Sequence, residues 1–340
     1  LKSNEAGLKY YLMGVFASAI MLYGMSLIFG VSGSTILEEI NSSISSGESS
    51  TSIITLGIIF VIIGFAFKVS AFPFHTWAPD TYEGAPTPVT AFLAVASKAA
   101  GFVALMNLVV VGFFGREDVF QPLMWVLAAL SMTAGNVMAL RQTNIIRLMA
   151  YSGIAQAGFM LAPLAVAGES IEIADKSVSA IVTYLAIYAA MNLGAFAIIL
   201  SVARTTRSGQ IESYNGLFKT SPSLAVMMTI FLASLAGVPP LGGWFAKFSV
   251  FTSLTSADTS WGYGLAVIAA INAVIAFGYY GRIAMKMWVE EPHSSHTSQI
   301  KVPVSLSTAL AITVATTLAF GIVPGIVTHF TDVSLISLAM

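Results

Sequence analysis

The chain contains no cysteine. That excludes a disulfide framework and any zinc or iron–sulfur centre held by thiolates. Charge is scarce too: Asp, Glu, Lys and Arg make up 9% of the 340 residues, against roughly a quarter in an ordinary soluble domain. Together with 56% hydrophobic residues and a mean hydropathy of +0.84, the deficit defines an integral membrane protein. Acids and bases nearly cancel, leaving a formal net charge of −1, so nothing points to nucleic acid or an acidic substrate. No dinucleotide G-x-G-x-x-G, phosphate loop, HExxH or haem-type histidine pair is present, so no cofactor and no metal are expected in this chain. The start, Leu1-Lys2-Ser3-Asn4-Glu5, has no basic segment leading into an apolar one and no methionine. It reads as a processed or incomplete copy of something longer rather than a signal peptide.

What is abundant is the long apolar run. Spanning the hydrocarbon as helix takes about 20 residues, and nine such runs are present: Leu8–Phe29, Ile53–Thr76, Thr87–Phe114, Pro122–Leu140, Ile145–Ala167, Ser177–Ala203, Pro222–Leu254, Gly262–Met287 and Val304–Phe330. They lack the alternating polarity of barrel strands. The expected fold is therefore all-α, a polytopic transmembrane helix bundle forming one membrane domain over residues 1–340. With the N-terminus placed on the cytoplasmic side, Lys2, Lys9, Arg141, Arg147, Arg204, Arg207, Lys219, Arg282, Lys286 and Lys301 fall on that side, and only Arg116 and Lys176 fall opposite. This positive-inside bias supports both the span count and the orientation. Asn41–Ser52 reads as a polar exposed loop.

The other three basic residues, Lys68, Lys98 and Lys247, lie inside apolar runs. A charge at mid-bilayer costs about 2.5–3.5 kcal/mol on insertion scales, so such residues face a protein interior or a wet cavity and mark ion paths. Two spans are also interrupted. The second carries Pro73 five residues after Lys68, and the seventh carries Gly237, Pro239, Pro240, Gly242 and Gly243 ahead of Lys247. Broken helices in corresponding positions of two halves, here five spans apart and therefore antiparallel, point to inverted repeats around a midplane ion site. The expected site is a proton relay of Lys68, Lys98, Lys247 and His75, with His75 placed two helical turns along the face of Lys68. His75 has a second reading, as a residue packed at the helix end near Trp77. Asp80 and Glu83 read as structural loop residues, and Arg141 and Arg147 as topology anchors. Tyr151, Ser152, Gln156, Asn192 and Asn272 read as interhelical hydrogen bonders.

The segment Gly64–Lys98, GFAFKVSAFPFHTWAPDTYEGAPTPVTAFLAVASK, resembles the most diagnostic stretch of the antiporter-like membrane subunits of respiratory complex I. Arg141–Ile154, RQTNIIRLMAYSGI, and Gly237–Lys247, GVPPLGGWFAK, agree with it. The resemblance covers essentially the whole chain. It is closest to the branch called subunit N in bacterial NADH-quinone oxidoreductase and subunit 2 in organelles. It implies fourteen spans with two inverted five-helix bundles, of which the first five spans are missing here, together with a glutamate on the fifth that pairs with Lys68. It implies Lys98 as the central relay group and Lys247 as the exit group. NADH, FMN, iron–sulfur clusters and quinone are implied only in partner subunits, and the setting implied is the inner membrane of a bacterium. Where many relatives carry a histidine after Tyr-Ser-x-Ile, this chain has Gln156, an amide that cannot titrate. A sodium/proton antiporter subunit, the membrane arm of a hydrogenase or ferredoxin-dependent complex, and a purely structural scaffold are the rival readings.

Overall fold

The computed structural model describes residues 2–45, 51–292 and 299–331. Among these, regular structure is helical throughout, apart from one antiparallel bridge between Asn144 and Gln210. That is what a hydrocarbon solvent demands, because a helix satisfies its own backbone N–H and C=O groups. The helices are α1 (Lys2–Ser32), α2 (Leu37–Ser45), α3 (Thr51–Lys68), α4 (Trp77–Gly84) and α5 (Thr87–Gly112), followed by α6 (Glu117–Leu140), α7 (Ile145–Leu161) and α8 (Ile171–Thr206). After a short connecting segment come α9 (Pro222–Ala236), α10 (Gly242–Ser256), α11 (Ser260–Val289), α12 (Val304–Ile322) and α13 (Gly325–Thr331). Among the described residues seven helices are long and apolar enough to cross a membrane, and α3 and α9 are shorter apolar segments. All nine apolar runs are therefore helical. Side-chain caps start three of them: Asn144 accepts from the N–H groups of Ile146 and Arg147, Ser170 from Ile173 and Thr259 from Gly262.

The second and seventh spans are broken where their prolines and glycines fall. α3 stops at Lys68; the chain then turns through Ser70 (φ +61°) and the cis Phe72–Pro73 bond before α4 begins. α9 stops at Ala236, and Gly237 (φ +95°) and the cis Pro239–Pro240 bond lead into α10. Backbone groups freed at each break find side-chain partners, as a break at membrane depth requires. Ser131 Oγ accepts from Phe72 N–H at 2.9 Å, Trp77 Nε1 donates to Phe67 O at 3.1 Å, and Ser234 Oγ accepts from Gly243 N–H at 2.9 Å.

α7 is the most enclosed span. Its tight crossing with α6 depends on two glycines: a Cβ on Gly135 would lie 2.6 Å from Ala155 N, and one on Gly158 2.6 Å from Met132 N. Absent side chains let these backbones touch. The basic residues assigned to the cytoplasm gather at one end. Arg282 donates to the carbonyls of Leu140 and Gln142, Lys219 pairs with Glu291, and Lys9 and Arg147 both reach Asp80. Arg116–Asp118 and Lys176–Glu172 occupy the other end. Trp261 and Trp288 mark the two ends of α11, about 40 Å apart at helical rise, matching a bilayer with its headgroups.

Asn41–Ser52 departs from the exposed loop expected of it. Asn41–Ser45 closes α2, whose Ile40 and Ile44 are buried one turn apart, and Thr51–Ser52 opens α3. The apolar spacing of Leu37, Ile40 and Ile44 fixes that amphipathic turn. Residues 46–50, Glu48 included, lie outside the described residues.

Candidate functional site

Lys98 sits in the middle of α5 and directly follows a π-helical turn, Leu93–Ser97. It is 2% exposed, and its Nζ donates to Gly153 O of α7 at 2.6 Å. That carbonyl lies inside a helix and has a second lone pair to offer. Lys247, in α10, is buried too, at 5% exposed. Its Nζ donates to Ala236 O at 2.6 Å and to Leu235 O at 3.2 Å. These are the last carbonyls of α9, left without intrahelical donors because the helix stops there, and they form the negative end of its dipole. The break therefore builds the cation-binding end that receives the lysine. The ring of Phe159 adds a face 4.9 Å from Nζ.

Gln156 adjoins the Lys247 site. It lies one turn beyond Gly153 on α7, and its Nε2 donates to Leu235 O at 3.1 Å, the carbonyl that Lys247 also uses. Its Oε1 accepts from the Tyr184 hydroxyl, and its Nε2 also reaches Tyr280 Oη at 3.3 Å. Tyr280 in turn bonds Ser152 Oγ at 2.5 Å. A second polar row adjoins this one. Tyr279 donates to Asn136, Asn136 to Asn272, and Asn272 to Thr133, at 3.0, 3.0 and 3.2 Å. α8 and α11 thus present hydroxyls, and α9 a carbonyl, to one strip of α7, while the second row ties α6 to α11. Ser152, Gln156 and Asn272 do bond between helices. Asn192 does not: it is buried with neither amide atom partnered.

The geometry of Lys68 and His75 differs from expectation. Lys68 is exposed. As the last residue of α3 it points into a groove of about 870 Å³ between α1, α3 and α5, bordered by Tyr10, Ser18 and Gly101. His75 is buried but does not continue the face of Lys68, because the turn at Ser70 and Pro73 separates it from α3. Its ring stacks on Phe72 at 5.1 Å and approaches Tyr151 at 6.5 Å, while Trp77 packs on Tyr10 and Phe67 instead. Asp80 and Glu83 are on a helix, not a loop, and Arg147 is more than a topology anchor. Its Nη1 lies 2.6 Å from Asp80 and 3.1 Å from Glu83, tying α7 to α4, while Lys9 ties α1 to the same Asp80 at 2.8 Å. Burial pushes the Asp80 carboxyl up, but hydrogen bonds from Lys9 and Arg147 outweigh it and leave Asp80 below its ordinary value. The tyrosines at 184, 188, 279 and 280 went unassigned from sequence. The spacing Tyr184, Tyr188, Asn192, one residue per turn on α8, carries the signal that finds two of them.

A polytopic helical bundle with two interrupted spans and lysines held at the interruption and at mid-membrane defines an ion-translocating type of membrane protein architecture. Comparison with known proteins identifies the family. The family described as NADH:quinone oxidoreductase/Mrp antiporter, TM, matches residues 1–275. The chain is 40% identical over 332 residues to NADH-quinone oxidoreductase subunit N of Trichlorobacter lovleyi, covering 97% of this chain and 66% of that one. It is 44% identical over 304 residues to NAD(P)H-quinone oxidoreductase subunit 2 of Crocosphaera subtropica, covering 89% and 57%. A chain of respiratory complex I from Thermus thermophilus superposes with a TM-score of 0.80 at 30% identity, covering 96% of this chain and 68% of that one. The Mrp complex from Dietzia sp. DQ12-45-1b shares the fold, with a TM-score of 0.86 at 19% identity over 98% and 67%. The chain belongs to the family of antiporter-like membrane subunits of NADH:quinone oxidoreductases and Mrp antiporters. It spans about two thirds or less of the length of these curated relatives.

Proposed function

We propose that the chain is the larger, C-terminal part of a subunit N-type proton-translocating subunit of an NADH-quinone oxidoreductase, in the inner membrane of a bacterium. One observation carries the reading. Two buried lysines are each gripped by main-chain carbonyls, Lys98 by Gly153 of α7 and Lys247 by the end of α9, where Gln156 of α7 shares the Leu235 carbonyl with Lys247. Lys98 is the central relay group and Lys247 the exit group. Lys68, beside its groove, pairs with a glutamate on a preceding span, and His75 lies on the approach to Lys98. Redox chemistry, with NADH, FMN, iron–sulfur clusters and quinone, takes place in partner subunits. Its energy reaches this subunit as changes in the charge of neighbouring buried groups, which interact strongly at low effective dielectric. The named relatives favour an oxidoreductase over an antiporter, because the likeness to the Mrp complex is one of fold.

The test is Lys98→Ala in the whole complex, assayed for NADH-driven proton translocation in membrane vesicles. Translocation is expected to fall by at least ten-fold with assembly retained. Full translocation refutes the relay, and failure of redox subunits to co-purify refutes the assignment to an oxidoreductase.

A further inference from the structure

Three spans have an end on the basic side of the bundle and meet there: α5 starts at Thr87, α8 finishes at Thr206 and α12 starts at Val304. Between them lies an apolar groove of about 370 Å³. Its walls are Phe92, Val95 and Ala96 of α5, Leu193 and Ala197 of α8 and Leu306 of α12. Phe92 and Leu193 stand exposed, so one side of the groove is open. Along α5 it runs from Thr87 to Ala96, about 14 Å at helical rise. That is about the depth of one leaflet of the hydrocarbon core. The mouth of the groove is basic. Arg204 follows the lining residue Leu200 by one turn of α8, and Lys301 precedes Leu306 by five residues. Both are exposed, and neither forms a salt bridge among the described residues. The acid ahead of α5, Glu83, is taken by Arg147 at 3.1 Å.

We propose that this groove binds one phospholipid with an anionic headgroup, its acyl chain lying along α5 and its phosphate held by Arg204 and Lys301. Basic pockets between spans on the cytoplasmic side select such headgroups. A guanidinium meets two phosphate oxygens with parallel N–H donors, and a lysine adds a point charge. The apolar walls give a hydrocarbon chain full contact and offer a polar ligand no partner. The length fits a chain of one leaflet, whereas a partner's spanning helix needs about twice that depth. Val95 and Ala96 belong to the wide turn Leu93–Ser97, so the bound chain lies against the turn that carries Lys98.

The test uses the purified complex in phosphatidylcholine vesicles that contain a minor fraction of phosphatidylglycerol with a photoreactive diazirine on its acyl chain. After illumination, peptides carrying Phe92–Ala96 and Leu193–Leu200 are expected to be labelled at least five-fold more than the peptide carrying Val274–Phe277, an exposed apolar face of α11. The double variant Arg204→Gln/Lys301→Gln should lower the groove label at least three-fold and leave the α11 label unchanged. Both changes are at exposed positions, so folding is not at stake. Ala197→Leu, which fills the groove from α8, should lower the groove label as well. Labelling in proportion to exposure on both faces overturns the proposal, because that is ordinary annular lipid. An unlabelled groove overturns it too, as the pattern of a partner subunit's helix seated there. So does an unchanged label in the double variant, or equal labelling by the same diazirine chain on a phosphatidylcholine headgroup. Labelling needs no proton movement, so its result is independent of whether Lys98→Ala stops translocation.

Discussion

Replacing Gly237 by alanine tests how the second break holds its lysine. Gly237 sits at φ +95°, where an L-residue is strained by about 1–2 kcal/mol. The new Cβ would lie 2.9 Å from Lys247 Cδ and 3.3 Å from its Nζ, so the lysine must withdraw. Withdrawal weakens the 2.6 Å bond to Ala236 O and the 3.2 Å bond to Leu235 O. A hydrogen bond to a charged group contributes about 1.5–3 kcal/mol. The combined cost is about 3–5 kcal/mol if the site does not relax. Gly264→Ala serves as control, since nothing lies within 4 Å of its Cβ position in the second turn of α11, and the change should be neutral or stabilise by up to about 1 kcal/mol. The assay is heat inactivation of proton translocation in membranes, with the initial rate recorded before heating. Gly237→Ala should inactivate at lower temperature and start from a lower rate, and Gly264→Ala should do neither. Equal behaviour of the two variants would refute the account of Lys247 as a side chain gripped by the end of α9.

Gln156→Leu leaves the Tyr184 hydroxyl without its acceptor, at about 1–3 kcal/mol, and should cut translocation. Gln156→His restores an acceptor and a donor and should retain it; the two rates compared in one membrane preparation check this. At the basic end, a carboxyl held below its ordinary value of 3.8, as Asp80 is, contributes stability that is complete above that pH and lost as pH falls through the lowered value. Thermal stability of the complex scanned downward from neutral pH should therefore show an acid limb below pH 3.8 that Asp80→Asn flattens. Gly153→Ala should slow translocation without gross destabilisation, because its Cβ presses on Lys98 Nζ and Tyr188 Oη at 3.2 Å while the helix itself accepts alanine.

Span positions, breaks and the burial of Lys98 and Lys247 were all legible in the sequence, for one physical reason. A residue surrounded by apolar neighbours at helical length has few places to be, and Pro239–Pro240 cannot continue a helix. His75 was misplaced by extending helical phase through Pro73, where the phase is lost. The Arg147–Asp80–Glu83 cluster joins residues more than sixty positions apart, and spacing along the chain carries no trace of it. The tyrosines were hidden by their own chemistry: a ring surrounded by leucine and alanine looks like packing until its hydroxyl finds Gln156.

The wide turn before Lys98 has a further consequence for how α5 tolerates change. A π turn fits one residue more than an α turn into the same rotation, so everything from Lys98 onward is out of phase, by about 100°, with the facing that Thr87–Phe92 would project. Removing a single residue between Leu93 and Ser97 would regularise the coil and keep the ammonium's heading, whereas winding the same residues into α geometry would swing it by about 100° away from Gly153. In this span the wide turn acts as a setscrew for the lysine's heading, and a regular helix of the same length would be a misaligned one.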